Sequence, residues 1–171
     1  MNIFEILNIL SISYSLIEHE AVYTVAQAHA LLNRSIGAEC KNLFLTDKNR
    51  FFLVLLSSEK QANMKSIAAF LGCKSLRFAS PEMLLSVLGL TPGSVGPFGI
   101  INDRENQVTL LIDSDLEGKT IMFHPNDNTK TISITYEDLI RFIEYVGHAF
   151  FVLPGDQFQK TAKKEKGQTD V

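Results

Sequence analysis

The sequence has no tryptophan, only two cysteines, and no apolar run that approaches the roughly 20 residues needed to span a bilayer. Cys40 and Cys73 form neither a CxxC pair nor a metal-ligand spacing with the four histidines. The first ten residues are apolar, but they lack a basic segment and include Glu5, so they predict an amphipathic helix and not a signal peptide. We therefore expect a cytoplasmic protein with no metal, no cofactor and no membrane contact.

Positive charge is also in short supply. Lysine and arginine number 16 against 19 aspartates and glutamates, which gives a net charge of −3. A protein that binds long stretches of nucleic-acid backbone is expected to be basic. Any nucleic-acid partner would therefore be held by a small local patch. What the chain does have is 46% hydrophobic residues and twelve phenylalanines in 171 residues, which predicts one domain with a phenylalanine-rich core.

Hydrophobic periodicity and capping residues predict a mixed α/β fold of α+β-like character, in which helices pack on a mixed sheet. The predicted helices cover residues 2–10, 24–33, 64–71, 81–88 and 135–147. The predicted strands cover residues 14–19, 41–46, 51–56, 75–78, 108–112, 120–123, 131–134 and 149–153. Residues 1–153 then form a single domain, and the polar, lysine-rich residues 154–171 are predicted to be a disordered tail. With no long coiled-coil pattern or exposed apolar stripe, we expect a monomer.

The segment 91–99 is the one long cluster of glycine and proline, with three glycines and two prolines in nine residues. Such a segment fits neither a helix nor a central strand. Glycines let backbone N–H groups approach a ligand closely, so the segment can form a nest for an oxyanion or a carbonyl. It matches neither a P-loop nor GxGxxG, and an ordinary helix-to-strand connection fits the pattern equally well.

Two side chains stand out as candidates for a polar site. Lys41, followed by Asn42 at the head of a strand, can bind a phosphate as a point charge, although a solvated lysine at a strand end is more common. His124 precedes Pro125, which keeps it extended at the end of a strand. It can orient a hydroxyl or a water, or donate to a carbonyl; a surface histidine in a turn is the alternative.

No protein nucleophile is evident. Ser94 does not lie in a GxSxG sequence, and no base is expected beside it. Cys40 lies next to Lys41, which can lower a thiol pKa, but a small buried cysteine fits the pattern better. No pair of carboxylates indicates general acid and base chemistry. The residues alone predict a site built from backbone, lysine and histidine.

Four segments in this order resemble the YbaK/prolyl-tRNA synthetase editing-domain superfamily, and within it the free-standing ProX (PrdX) members. They are residues 41–47 (KNLFLTD), 91–99 (TPGSVGPFG), 101–103 (IND) and 123–125 (FHP). The resemblance runs from about Tyr14 to Val152. It implies a single domain with a curved mixed sheet, and hydrolysis of mischarged aminoacyl-tRNA, with alanine on tRNA for proline as the expected substrate. It implies no metal or organic cofactor.

The resemblance also implies roles for individual residues. Lys41 would contact the terminal phosphates of the tRNA acceptor end, with Asn42 assisting near it. His124 would line the amino-acid pocket and exclude larger side chains. A hydroxyl of the terminal adenosine would position the attacking water. The ester would be held by the loop of Gly93, Ser94, Val95, Gly96 and Pro97.

Three departures from that family pattern bear on affinity and substrate. Glu39 and Glu20 stand where relatives usually carry histidine and proline, so both add negative charge, and Gly96 removes a hydroxyl that is common there. These changes keep two alternatives open: a non-catalytic module that binds tRNA or an aminoacyl-nucleotide, and a deacylase for seryl-, threonyl- or cysteinyl-tRNA. Prolyl-tRNA synthetase or an elongation factor is the expected protein partner.

Overall fold

The computed structural model describes residues 1–21, 36–158 and 160–161. Ten strands lie in these ranges. They are β1 Ser15–Glu18, β2 Cys40–Thr46, β3 Phe51–Ser57, β4 Lys60–Gln61, β5 Arg77–Phe78, β6 Val108–Asp113, β7 Thr120–Phe123, β8 Lys130–Thr135, β9 Phe150–Leu153 and β10 Lys160–Thr161. Five of them form the main sheet, in the order β5-β2-β3-β6-β9. The β5/β2 and β2/β3 pairs are antiparallel, whereas β3/β6 and β6/β9 are parallel, which confirms the predicted mixed sheet.

A second sheet has three antiparallel strands in the order β1-β8-β7. The segment that leads into β2 connects it to the main sheet, because Ala38 forms a parallel bridge with Ile121 of β7. The Ala38 N–H donates to the Thr120 carbonyl at 2.8 Å, and the Met122 N–H donates to the Ala38 carbonyl at 3.0 Å. From this bridge, β2 and β7 run in the same direction. The start of β2 and the segment after β7 are thereby held in one region.

Four helices are described: α1 Ile3–Ile9, α2 Met64–Leu71, α3 Pro81–Leu88 and α4 Tyr136–Val146. The last three begin at side-chain caps, because Asn63, Ser80 and Thr135 each accept a hydrogen bond from the backbone N–H three residues on. Each of the three ends at a glycine with positive φ, a conformation that glycine adopts without steric cost. These helices are confirmed, and the helix predicted over residues 24–33 lies outside the described residues.

The hydrophobic core lies on both faces of the main sheet. Along β3, Leu53 and Leu55 face a larger cluster that includes α1, α3 and α4, whereas Val54 and Leu56 face a smaller cluster formed with α2. The expected phenylalanine core is confirmed in part. Buried phenylalanines are Phe44, Phe52, Phe98, Phe123 and Phe142, and exposed ones are Phe70, Phe78 and Phe151.

The predicted tail includes two short elements. A 3-10 turn spans Gly155–Phe158, and β10 pairs antiparallel with β4, so that Lys160 lies opposite Gln61. The rest of that segment, residues 162–171, lies outside the described residues. Among the residues that are described, no helix has the length and apolar character that crossing a bilayer requires.

Candidate functional site

The glycine- and proline-rich segment forms two 3-10 turns, Pro92–Ser94 and Pro97–Asn102. The Ser94 N–H donates to the Thr91 carbonyl at 2.9 Å and closes the first turn. Between the turns, Val95 and Gly96 are extended. The segment is therefore neither an α-helix nor a strand, as predicted. We refer to residues 93–97 as the glycine loop.

The structure brings the glycine loop next to His124. A Cβ added to Gly96 would lie 3.5 Å from the His124 carbonyl oxygen, which is ordinary van der Waals contact. Just beyond the loop, the Asn126 side-chain amide donates to the Phe98 carbonyl at 3.3 Å. Two of the motifs found in the sequence thus meet, although 28 residues separate Gly96 from His124 in the chain.

The proton on the His124 ring is placed by one hydrogen bond. Nδ1 lies 2.8 Å from the Lys130 carbonyl oxygen, and because a carbonyl can only accept, Nδ1 donates. The neutral ring then has an acceptor at Nε2. Burial, together with the nearby His19, lowers the pKa of His124 below its usual value, although the Lys130 carbonyl opposes this shift. His124 is therefore neutral at neutral pH, with Nε2 able to accept a proton or a hydrogen bond.

His19 provides a second ordered imidazole beside the first. The ring centroids of His19 and His124 are 6.0 Å apart. Nδ1 of His19 donates to the Glu20 carbonyl at 2.7 Å, which leaves Nε2 to accept from the Thr131 hydroxyl at 2.8 Å. The pairing of β1 with β8 brings His19 to this position, and a local pattern in the sequence does not reveal that pairing.

The lowered pKa of His124 predicts a pH dependence of stability. At pH values below about 6.5, the ordinary pKa, the unfolded chain binds a proton at this position more readily than the folded protein does. Stability from this group is therefore fully present above that pH, and it is lost as the pH falls through the folded pKa. We expect His124→Asn, which keeps a donor for the Lys130 carbonyl, to flatten the curve of unfolding free energy against pH between pH 6.5 and 5. Urea titrations of both proteins test this, and parallel curves would contradict it.

Lys41 lies on β2 and faces the smaller core cluster. Its partner in register is Leu56, which belongs to that cluster. The Lys41 ammonium donates to the Lys60 carbonyl at 2.5 Å. The glycine loop packs on the larger cluster through Val95. Side chains alternate along a strand, so Lys41 and the glycine loop lie on opposite faces of the main sheet.

Asn42 points to the other face. It pairs in register with Leu55 of the larger cluster, on the same side as the glycine loop. Its Oδ1 is buried and has no hydrogen-bond partner within the part of the chain that the structure describes. A buried amide oxygen without a partner is costly in a folded protein, so Asn42 presents an acceptor suited to a ligand N–H or O–H. Lys41 and Asn42 are neighbours in sequence, but their side chains serve different faces.

A buried ion pair that no sequence motif predicted lies beside Lys41. The Lys60 ammonium contacts both oxygens of Asp113 at 2.8 Å and Asp115 Oδ2 at 2.6 Å. Asp113 is fully buried and ends β6. Burial opposes the charge on Lys60, but the bonds from Asp113 and Asp115 outweigh it and raise the pKa of Lys60. The one feature of the sequence that could have indicated this ion pair is the aspartate that directly follows the apolar residues of β6.

The motif of residues 101–103 supports the fold. The Asn102 side-chain amide donates to the Leu88 carbonyl at the end of α3, at 2.8 Å. Asp103 Oδ2 accepts from the Val108 N–H and from His148 Nε2, each at 2.9 Å. These bonds connect the end of the glycine-rich segment to α3 and to β6, so the motif positions the loop and does not line it.

The structure argues against Cys40 and Ser94 as nucleophiles. Burial and the nearby Asp113 carboxylate raise the pKa of the Cys40 thiol, which keeps it protonated. Ser94 is buried, and in the described ranges its hydroxyl has no imidazole or carboxylate as a hydrogen-bond partner. Those ranges also contain no group of three or more histidine, cysteine, aspartate or glutamate side chains that could hold a metal ion.

Comparison with known sequences matches one family over most of the chain. The sequence model of the aminoacyl-tRNA editing domain matches residues 19–142. The prolyl-tRNA editing protein ProX of Acetoanaerobium sticklandii is 35% identical over 144 residues, which are 82% of this chain and 88% of that protein. The prolyl-tRNA synthetase associated domain-containing protein 1 of Danio rerio is 36% identical over 156 residues, covering 89% of this chain and 85% of that protein.

Two further similarities extend this result. A proline–tRNA ligase of Limosilactobacillus fermentum is 39% identical over 66 residues, which are 39% of this chain and 11% of the ligase. A crystal structure described as a proposed trans-editing enzyme for prolyl tRNA synthetase superposes with a TM-score of 0.66 at 18% identity, covering 86% of this chain and 87% of that chain. At that identity the superposition shows a shared fold.

Proposed function

Because the chain belongs to the aminoacyl-tRNA editing-domain family, we propose that it is a free-standing deacylase that removes alanine wrongly attached to tRNA for proline. The observation that carries this proposal is the contact between the glycine loop and His124, where Gly96 lies against the His124 carbonyl. A glycine-rich loop and the residue that carries a neutral imidazole are then neighbours. No protein nucleophile lies beside them in the described ranges, which fits hydrolysis of an ester by water.

The reaction divides between the substrate and the protein. Water attacks the ester carbonyl, the bond to the ribose oxygen breaks, and free alanine and uncharged tRNA are released. A hydroxyl of the terminal adenosine positions the water. We assign the backbone N–H groups of Val95 and Gly96, in the extended part of the loop, to the oxyanion that develops on the carbonyl oxygen. Orientation of the ester against fixed donors supplies the rest of the catalysis.

His124 sets the size of the amino-acid pocket in this proposal. The backbone carbonyl of His124 contacts the loop, and we assign its ring, which is held by the Lys130 carbonyl, as a fixed wall of this pocket. Alanine carries one methyl group, whereas proline carries a ring of three methylenes. A synthetase site built for proline cannot exclude the smaller alanine sterically, but a second site bounded by His124 can admit alanine and exclude proline.

Lys41 and Asn42 have separate roles in this proposal. Lys41 is the second residue of β2, so its ammonium lies near one end of the main sheet and binds the terminal phosphates there. Asn42, with its unpartnered Oδ1 on the other face, accepts a hydrogen bond from the aminoacyl-adenosine. The acceptor end then crosses the start of β2, from the face that carries Lys41 to the face that carries Asn42.

The proposal extends to the setting of the reaction. The protein acts in the cytoplasm as a monomer on the acceptor end of tRNA. Its partner there is prolyl-tRNA synthetase or an elongation factor, which would hand over the mischarged tRNA. Contact limited to the acceptor end agrees with a net charge of −3, because only a few phosphates need to be neutralised.

The direct test is release of labelled amino acid from tRNA for proline charged with alanine, serine, threonine, cysteine or proline, at catalytic protein concentration. We expect rapid loss of alanine and retention of proline. Faster release of serine, threonine or cysteine than of alanine would assign the enzyme to a different mischarged tRNA. Binding of tRNA without release of any of them would replace the deacylase with a non-catalytic binding module.

A further inference from the structure

The buried ion pair of Lys60 and Asp113 is connected to Lys41 by a single backbone group. The Lys60 side chain is bonded to Asp113, to Asp115 and, at 3.2 Å, to the Gly155 carbonyl. Its own carbonyl accepts the hydrogen bond from the Lys41 ammonium. Lys60 is 8% exposed and Asp113 is fully buried, so the ion pair itself is held inside the protein.

Asp113 is bonded in a way that restricts the local backbone. Besides Lys60, it accepts from the Ser57 N–H at 3.1 Å and from the Asp115 N–H at 2.9 Å. It therefore ties together the end of β3, the short strand β4 and the turn after β6. Burying two charges costs free energy that their attraction often only offsets, so such a pair is weak support for a purely stabilising role.

We propose that Lys60 and Asp113 are positioning residues that hold the Lys41 ammonium in place for the tRNA phosphates. This inference rests on the proposed function. A lysine side chain has four rotatable bonds and loses rotamer entropy when it binds an anion. The bond to the Lys60 carbonyl restricts Lys41 in advance and uses one of its three N–H donors. Asp113 acts only through this chain of contacts and does not touch the substrate.

The test is a double-mutant cycle of Asp113→Asn and Lys41→Ala, measured by deacylation of alanyl-tRNA for proline. We expect Asp113→Asn alone to raise KM about threefold to tenfold with kcat unchanged, and to have no further effect in the Lys41→Ala background. The same fold-change in both backgrounds would overturn the inference, because a structural effect does not require Lys41. If the unmodified protein itself releases no amino acid, it is the proposed function that fails.

The charge control is Asp47→Asn. It removes the same single negative charge, but Asp47 follows the other end of β2, six residues or about 20 Å along the strand from Lys41. We expect its KM to stay within about twofold of the unmodified protein. A rise in KM equal to that of Asp113→Asn would mean that net charge, and not position, is responsible, and would also overturn the inference.

A second readout needs no tRNA. Brief acylation of the free protein with acetic anhydride, followed by mass spectrometry, reports how readily each lysine amine reacts. We expect Lys41 to react at least about threefold faster in Asp113→Asn, with the exposed Lys74 unchanged. If Asp113→Asn does not fold, Asp115→Asn removes the exposed partner of Lys60 and should give a smaller change in the same direction. No change in Lys41 reactivity in a folded variant would overturn the inference.

Discussion

Lys41→Ala is expected to lower kcat/KM for alanyl-tRNA by roughly 10- to 100-fold, mainly by raising KM. A hydrogen bond between a charged donor and a charged acceptor contributes about 1.5–3 kcal/mol, and each 1.4 kcal/mol corresponds to a factor of ten. The ammonium is already directed by the Lys60 carbonyl, so little of that free energy is spent on ordering the side chain. In the proposed mode of binding, the reacting ester lies with the glycine loop on the other face, so kcat should change little.

The salt dependence of tRNA binding distinguishes a phosphate contact from a general loss of structure. Each phosphate neutralised on a single strand contributes about −0.7 to the slope of log affinity against log salt concentration, so Lys41→Ala should reduce the slope by about that amount. Lys48→Asn is the matched control. It removes one positive charge at the far end of β2, and asparagine tolerates the positive φ of 90° there. An unchanged slope in Lys41→Ala, or an equal change in Lys48→Asn, would contradict the assignment.

The helices could be predicted because their signals are local. Asn63, Ser80 and Thr135 each bond to a backbone N–H three residues away, and the glycines that end these helices act within one turn. The short strand β4 could not be predicted. It has two residues and exists through pairing with Lys160 and Thr161, about 100 positions later in the chain. Pairing at that separation leaves no periodic pattern for a local analysis to find.

The candidate site was predictable to the extent that residue types carry their own chemistry. Glycines and prolines in residues 91–99 predicted an irregular loop, and the structure has one there. The opposite facing of Lys41 and Asn42 follows from strand alternation, and it could have been derived once β2 was assigned. The ion pair of Lys60 with Asp113 joins residues 53 positions apart, and only the parallel pairing of β3 with β6 brings them together.

His124→Ala is expected to weaken the discrimination between alanine and proline by roughly 10- to 200-fold, which is the range that one or two methylene groups contribute in a binding pocket. If the imidazole bounds the amino-acid pocket as proposed, its removal enlarges the pocket, so proline should be admitted and released from correctly charged tRNA. Alanine should be released more slowly, because the smaller side chain is held less closely. The measurement is the ratio of kcat/KM for the two charged tRNAs.

His124→Asn separates the size of the side chain from its hydrogen bond. Asparagine keeps a donor for the Lys130 carbonyl, whereas alanine leaves that acceptor without its side-chain partner at a cost of about 1 kcal/mol of stability. If the ring acts as a steric wall, asparagine, which is smaller than histidine, should give a ratio between those of the unmodified protein and His124→Ala. If discrimination is unchanged in both folded variants, His124 does not bound the pocket. The exclusion of proline would then have to come from the glycine loop, where Gly96 has room for a Cβ at 3.5 Å from its nearest neighbour.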